Sequence, residues 1–149
     1  MKSLYNETDL NEIISRIENL PADAQRQWGK MNVGQMLAHC SEPFRQAFGE
    51  IKLKRTLPGI LFGGFAKKMV TGNKPFKQGL PTDKEFIFKD DKDFDEEKKK
   101  LLDAVRRFGE GKGNNLTTDP HPFFGKMSIE EWDMLFYKHL DHHLRQFGA

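Results

Sequence analysis

Residues 127–147 read MSIEEWDMLFYKHLDHHLRQF, a helical pattern with a start signal at its head. Ser128 followed three residues later by Glu131 is a capping-box signature, which supplies partners for backbone N–H groups left open at a helix start. From Trp132 through Leu135, Phe136, His139, His143 and Phe147, apolar and imidazole groups recur at steps of three and four, the period of a buried helical stripe. Side chains four apart share a helix face, so His139 and His143 can present their rings to one ion. His142 lies about 60° around the wheel from His139, which makes a 139/142 pair the weaker arrangement without excluding it. A third ligand must come from elsewhere.

Working outward, three further helices are expected. Leu10, Ile13, Ile14 and Ile17 form a stripe over about Thr8 to Asn19, stopped by Leu20-Pro21. Asn32, with Gln35 at the capping-box position, begins a second helix after the connection that carries Trp28-Gly29-Lys30-Met31. His39 falls two turns into that helix, Met36, Leu37, Cys40, Phe44 and Phe48 supply its apolar anchor, and Pro43 is expected to bend it just beyond the histidine. A third long helix is expected over about Phe94 to Phe108, ended by Gly109 to Gly113. A Gly/Asn/Thr/Pro-rich loop then leads to His121-Pro122-Phe123-Phe124-Gly125.

Four long helices suggest a bundle. The roughly forty residues between helices two and three far exceed a short hairpin connection and read as a crossover, so that those two helices run the same way. Helix four then opposes helix two, and the early part of helix two lies level with the late part of helix four. This brings His39 to His139 and His143, and the three imidazoles are the expected metal ligands.

The totals bound the remaining classes. At 149 residues the chain is expected to form one domain over 1–149, with a real core. Lys and Arg number 24 against 22 Asp and Glu, a formal charge of +2, which gives no strong nucleic-acid signal. Cys40 is the sole cysteine, so no internal disulfide forms; it reads as a small buried hydrophobe, turned about 100° away from His39 on the wheel. No transmembrane segment is expected, and Met1 to Leu20 lacks the apolar centre of a signal peptide, so a cytoplasmic location is the default. Charge is unevenly placed: residues 51–82 carry Lys52, Lys54, Arg55, Lys67, Lys68, Lys74 and Lys77 with no acidic residue, whereas Asp83 to Glu97 holds eight acidic residues against three lysines.

His39 with Met36-Leu37-Ala38, Trp28-Gly29-Lys30-Met31, His121-Pro122-Phe123-Phe124-Gly125, and the tail from Lys138 to Phe147 resemble the DinB/YfiT-like superfamily of metal-dependent enzymes. Within it they resemble a bacterial branch known as a domain of unknown function. The resemblance covers nearly the whole chain. It implies a four-helix bundle in which one histidine of helix two and a His-x-x-x-His pair of helix four bind a divalent ion. In this sequence those positions are His39, His139 and His143. It also implies a neighbourhood of thiol-dependent transferases and an isomerase that use low-molecular-weight thiols.

Three neutral imidazoles suit zinc, nickel, iron or cobalt, and three protein ligands leave room for water or substrate, the pattern of catalytic rather than structural sites. Such a centre suggests a metal-dependent transferase or hydrolase acting on a small-molecule substrate, and the basic segment between Lys52 and Lys77 would attract an anionic one. Glu42, Asp141, Gln35 and Gln146 are candidates for orienting the rings from behind. His142 is expected to pack on the helix side or against a second copy in a homodimer, and His121 to line the mouth of the site or serve its loop. The contrasting reading makes the chain a non-catalytic binding module, whose basic crossover contacts an anionic partner while the histidines only stabilise the fold.

Overall fold

The computed structural model describes residues 2–82 and 84–149; Asp83, the first residue of the acidic run, lies outside them. Among the described residues the chain is all-helical, with five α-helices and no strand. They are α1 (Glu7–Glu18), α2 (Val33–Ala47), α3 (Leu57–Val70), α4 (Phe94–Gly111) and α5 (Ile129–Gln146), with a single 3-10 turn at Lys84–Phe86. Their starts are chemically explicit. Asn6, Asn32, Thr56, Asp93 and Ser128 each accept a backbone N–H from the first turn, and reciprocal capping boxes close α2 through Gln35 and α5 through Glu131.

Side-chain contacts fix how the helices run. Phe44 near the end of α2 stacks on Phe136 near the start of α5 at 4.0 Å between centroids, while His39, earlier in α2, meets His139, later in α5. These two helices are therefore antiparallel. The start of α2 lies by the entry to α4, where Gln35 Nε2 donates to the Asp90 carbonyl, and Phe44 meets Phe108 near the end of α4 at 5.7 Å. α2 and α4 thus run the same way, as the long connection between them implies. Leu4 N–H donates to Asp133 at 2.7 Å and Arg16 pairs with Asp141 at 2.9 Å, so α1 runs alongside α5. Between them these four helices bury Ile13, Ile17, Leu37, Phe44, Leu101, Val105, Phe108, Phe136, Leu140 and Leu144, each at most 1 % exposed. Burying large aliphatic and aromatic side chains to this degree supplies the main favourable term in folding, roughly 1.5–3 kcal/mol for each.

One expectation is corrected. The connection between α2 and α4 contains a helix of its own, α3, which makes five rather than four. α4 ends within the expected Gly109–Gly113 stretch, at Gly111; a Cβ at Gly109 would sit 2.6 Å from Leu10 Cδ2 and 2.8 Å from the Leu4 carbonyl, so this glycine serves the close approach of the chain's N-terminal segment. The stop comes at Lys112 and Gly113, both at positive φ. α2 runs on through Pro43 as one element to Ala47. The N–H that Pro43 lacks would have bonded the carbonyl four residues back, that of His39.

α3 docks in an unusual way. Its inward residues are Gly59 and Gly63, which lie directly on the backbone of Pro122, Phe123 and Phe124, while Thr56 N–H donates to the Pro122 carbonyl at 3.3 Å. At the far end Lys67 Nζ donates to the Lys126 carbonyl and pairs with Glu131 at 2.9 Å. Val70 and Gly72 offer their carbonyls to Lys138 Nζ, both at 2.7 Å. The segment that follows α3 is thereby tied to α5 one residue before His139.

Candidate metal centre

His39, His139 and His143 converge, each offering one ring nitrogen within 4.8 Å of the others. The capped start of α2 and its buried stripe aim His39 across to α5, where the four-residue spacing stacks the other two rings on the same face. Nε2 of His39 and Nε2 of His139 are 2.9 Å apart, and the His143 ring lies 4.7 Å from each of the other two between centroids. His39 and His143 are buried and His139 is partly so.

The hydrogen bonds behind the rings set their protonation. Nδ1 of His39 is 3.0 Å from the Phe86 carbonyl, which only accepts, so the ring carries its proton on Nδ1 and turns the Nε2 lone pair toward His139. Nδ1 of His143 is 2.8 Å from Gln146 Oε1. That amide is oriented by its own Nε2, which donates to the Trp28 carbonyl at 2.8 Å, so His143 also donates from Nδ1 and leaves Nε2 as an acceptor. Gly29, at φ 81°, lets the chain pass against the Gln146 amide where a side chain would collide.

Burial holds all three rings neutral. Desolvation lowers the pKa of His39, despite the Phe86 carbonyl favouring its charged form. His139 is lowered further, first by desolvation and then by its histidine neighbours, and His143 is brought down to about 3 by desolvation and then His39, against the opposing hydrogen bond to Gln146. Neutral imidazoles whose ring nitrogens gather within 4.8 Å of one another suit a transition-metal ion, which would displace the proton that His139 Nε2 shares with His39 Nε2, and no carboxylate or thiolate belongs to the set. This buried cluster could hold a metal ion.

Of the four orienting candidates, only Gln146 reaches a ring of the cluster. Gln35 is engaged in its capping box and with Asp90, Glu42 with Arg45, and Asp141 with Arg16 and Arg145. The Phe86 and Trp28 carbonyls are the partners that sequence reading missed; a backbone oxygen carried in by a distant turn leaves no residue-type signal. His142 stands beside the cluster rather than in it. Its half-buried ring packs at 5.6 Å from Trp28 and 6.0 Å from Phe76, and Phe76 also covers His139 at 6.5 Å.

His121 has a loop role. Its Nδ1 accepts the N–H groups of Phe123 and Phe124, both at 3.1 Å, its ring stacks on Phe124, and its backbone pairs with Gly125. Cys40 is fully buried, which pushes its thiol far above the usual range, in keeping with a small core residue. Two surface clefts, of about 430 and 180 Å³, lie beside Arg16 and Ala149 and between Gln46 and Trp132, away from the imidazoles.

No curated protein and no solved structure matches this chain. One family does, over residues 2–149, and it is described as a protein of unknown function, DUF1569. The match spans α1 to α5 and all three histidines, and the chain belongs to that family.

Proposed function

We propose that His39, His139 and His143 bind one divalent transition-metal ion in an open site, and that the chain is a metal-dependent enzyme of the DinB/YfiT-like type. In this reading residues 1–149 form one cytoplasmic domain, a four-helix bundle of α1, α2, α4 and α5, with α3 inserted in the crossover. The observation that carries the proposal is the pair of hydrogen bonds that fix His39 and His143 with Nδ1 protonated and Nε2 turned inward. A histidine kept only for packing needs one partner, whereas here ring nitrogens of all three histidines lie within 4.8 Å of one another, with His39 Nε2 accepting from His139 Nε2 at 2.9 Å until an ion takes the place of that proton.

Bound there, zinc, nickel or iron would lower the pKa of a coordinated water or low-molecular-weight thiol and polarise a substrate carbonyl. The chain's own contribution is to hold three neutral donors in fixed orientation, through the Phe86 carbonyl and the Gln146 amide, and to keep the rings shielded beneath Phe76. A small substrate in transfer or hydrolysis is the class such a centre serves, and the basic segment from Lys52 to Lys77, whose Phe76 lies over His139, favours an anionic one.

Elemental analysis tests this. Wild type loaded with zinc, nickel or iron and then desalted is expected to retain one ion per chain, and His39→Ala, His139→Ala and His143→Ala to retain little, with helical circular dichroism unchanged. Equal metal content in all four samples would remove the ligand set.

A further inference from the structure

α3 is inside out for a helix on a globular surface. Its protein-facing side is Gly59 and Gly63, while Leu57, Ile60, Leu61, Phe62, Phe65 and Met69 stand outward, between 54 and 73 % exposed. Amphipathic helices normally bury the large apolar side chains and expose the small or polar ones. The arrangement is not loose, because Thr56, Lys67 and Lys138 pin both ends of the helix to the body. The apolar side chains are therefore presented rather than unpacked. A contiguous exposed patch of this kind marks an interaction surface.

Charge identifies the occupant. Lys68 shares the outward face, Lys54 and Arg55 precede the helix and Lys74 and Lys77 follow it, all five exposed, and no acidic residue occurs from 51 to 82. A second copy seated on the same patch would bring this basic set against itself, since a two-fold contact pairs a surface with its own image. A nucleic acid would satisfy the cations but leave the aliphatic side chains without partners. An anionic lipid surface satisfies both: acyl chains take the apolar side chains and headgroups take the lysines. At 14 residues, about 21 Å long, the helix is too short to span a hydrocarbon core of about 30 Å, so it lies along the interface.

We propose that α3 is an interfacial anchor that docks this protein on anionic membrane surfaces. The proposal is independent of the metal centre.

The test is co-sedimentation of the full chain with phosphatidylcholine vesicles and with vesicles in which roughly one-third of the lipid is phosphatidylglycerol. Wild type is expected to bind the anionic vesicles about tenfold more tightly than the neutral ones, and to lose much of that binding near 0.5 M salt. Phe62→Ser/Phe65→Ser is expected to weaken binding about tenfold through lost apolar contact, and Lys68→Glu/Lys74→Glu to do so through charge. Both pairs are exposed, so circular dichroism and metal content should stay as in wild type. Absence of vesicle binding, or binding indifferent to all four substitutions, would overturn the proposal. So would a wild-type dimer in light scattering that becomes monomeric in Phe62→Ser/Phe65→Ser, which would assign the patch to a second copy.

Discussion

Gln146 does two things that no other residue does: it accepts from His143 and donates to the Trp28 carbonyl. Gln146→Ala leaves the three proposed ligands in place and removes the orientation of one. Metal affinity is expected to fall about 10–100-fold with the fold intact, read by chelator competition. An unchanged affinity would mean that the ring is held by packing alone. His121 offers a separate test through pH. Burial, with the nearby Arg55 charge second, lowers its folded pKa to about 4, against an ordinary 6.5. Between those values the unfolded chain binds the extra proton and the folded chain does not, so this residue's contribution is complete above about pH 6.5 and is lost as the pH falls toward 4. His121→Asn keeps an acceptor near the two N–H groups but does not titrate. Urea melts of the metal-free protein should show it losing roughly 2–3 kcal/mol less than wild type across that window. At this scale the sequence was informative where the signal is a side chain at helical spacing, as at His139 and His143. It was silent where the partner is the Phe86 carbonyl, 47 residues from His39 along the chain.

Among the helices, α3 tests how close packing replaces side-chain burial. A Cβ at Gly63 would run into the backbone carbonyl of Phe123, whereas one at Gly64 meets nothing within 4 Å. Gly63→Ala is expected to cost about 1–3 kcal/mol by forcing α3 off the 122–124 segment, and Gly64→Ala to be neutral or stabilising by up to about 1 kcal/mol. Thermal denaturation of the two variants side by side decides it, and equal effects would contradict the docking. The same chemistry explains why α3 was unreadable. Leu57 to Val70 has no polar face to set against its apolar one, and its paired glycines suggest a loop more readily than a helix interface. By contrast, Asn32 with Gln35 and Ser128 with Glu131 announced α2 and α5 to within a residue, because a capping box is local chemistry. α4 ends at Gly111, inside the Gly109–Gly113 stretch read as its stop, while Gly109 itself answers to Leu4 and Leu10, contacts that lie about a hundred residues away in sequence.

For the molecule as a whole, the long connection was the decisive clue: read as a crossover, it lets α2 and α4 run the same way with α5 opposed to α2, which sets His39 level with the tail pair. The aromatic cluster of Phe44 stacked on Phe136, with Phe108 edge-on to both, holds that register from the other end of the same helices. Phe136→Ala should cost about 3–5 kcal/mol in chemical denaturation and lower metal retention as well, since the register it sets positions the imidazoles. The central claim is that the front of the chain and its last helix share one metal ion. Anomalous diffraction from crystals soaked in zinc or nickel tests it most directly. The account predicts one strong peak at about 2.0–2.2 Å from a ring nitrogen of each of His39, His139 and His143. A fully loaded crystal whose peaks all lie away from these three rings would contradict it.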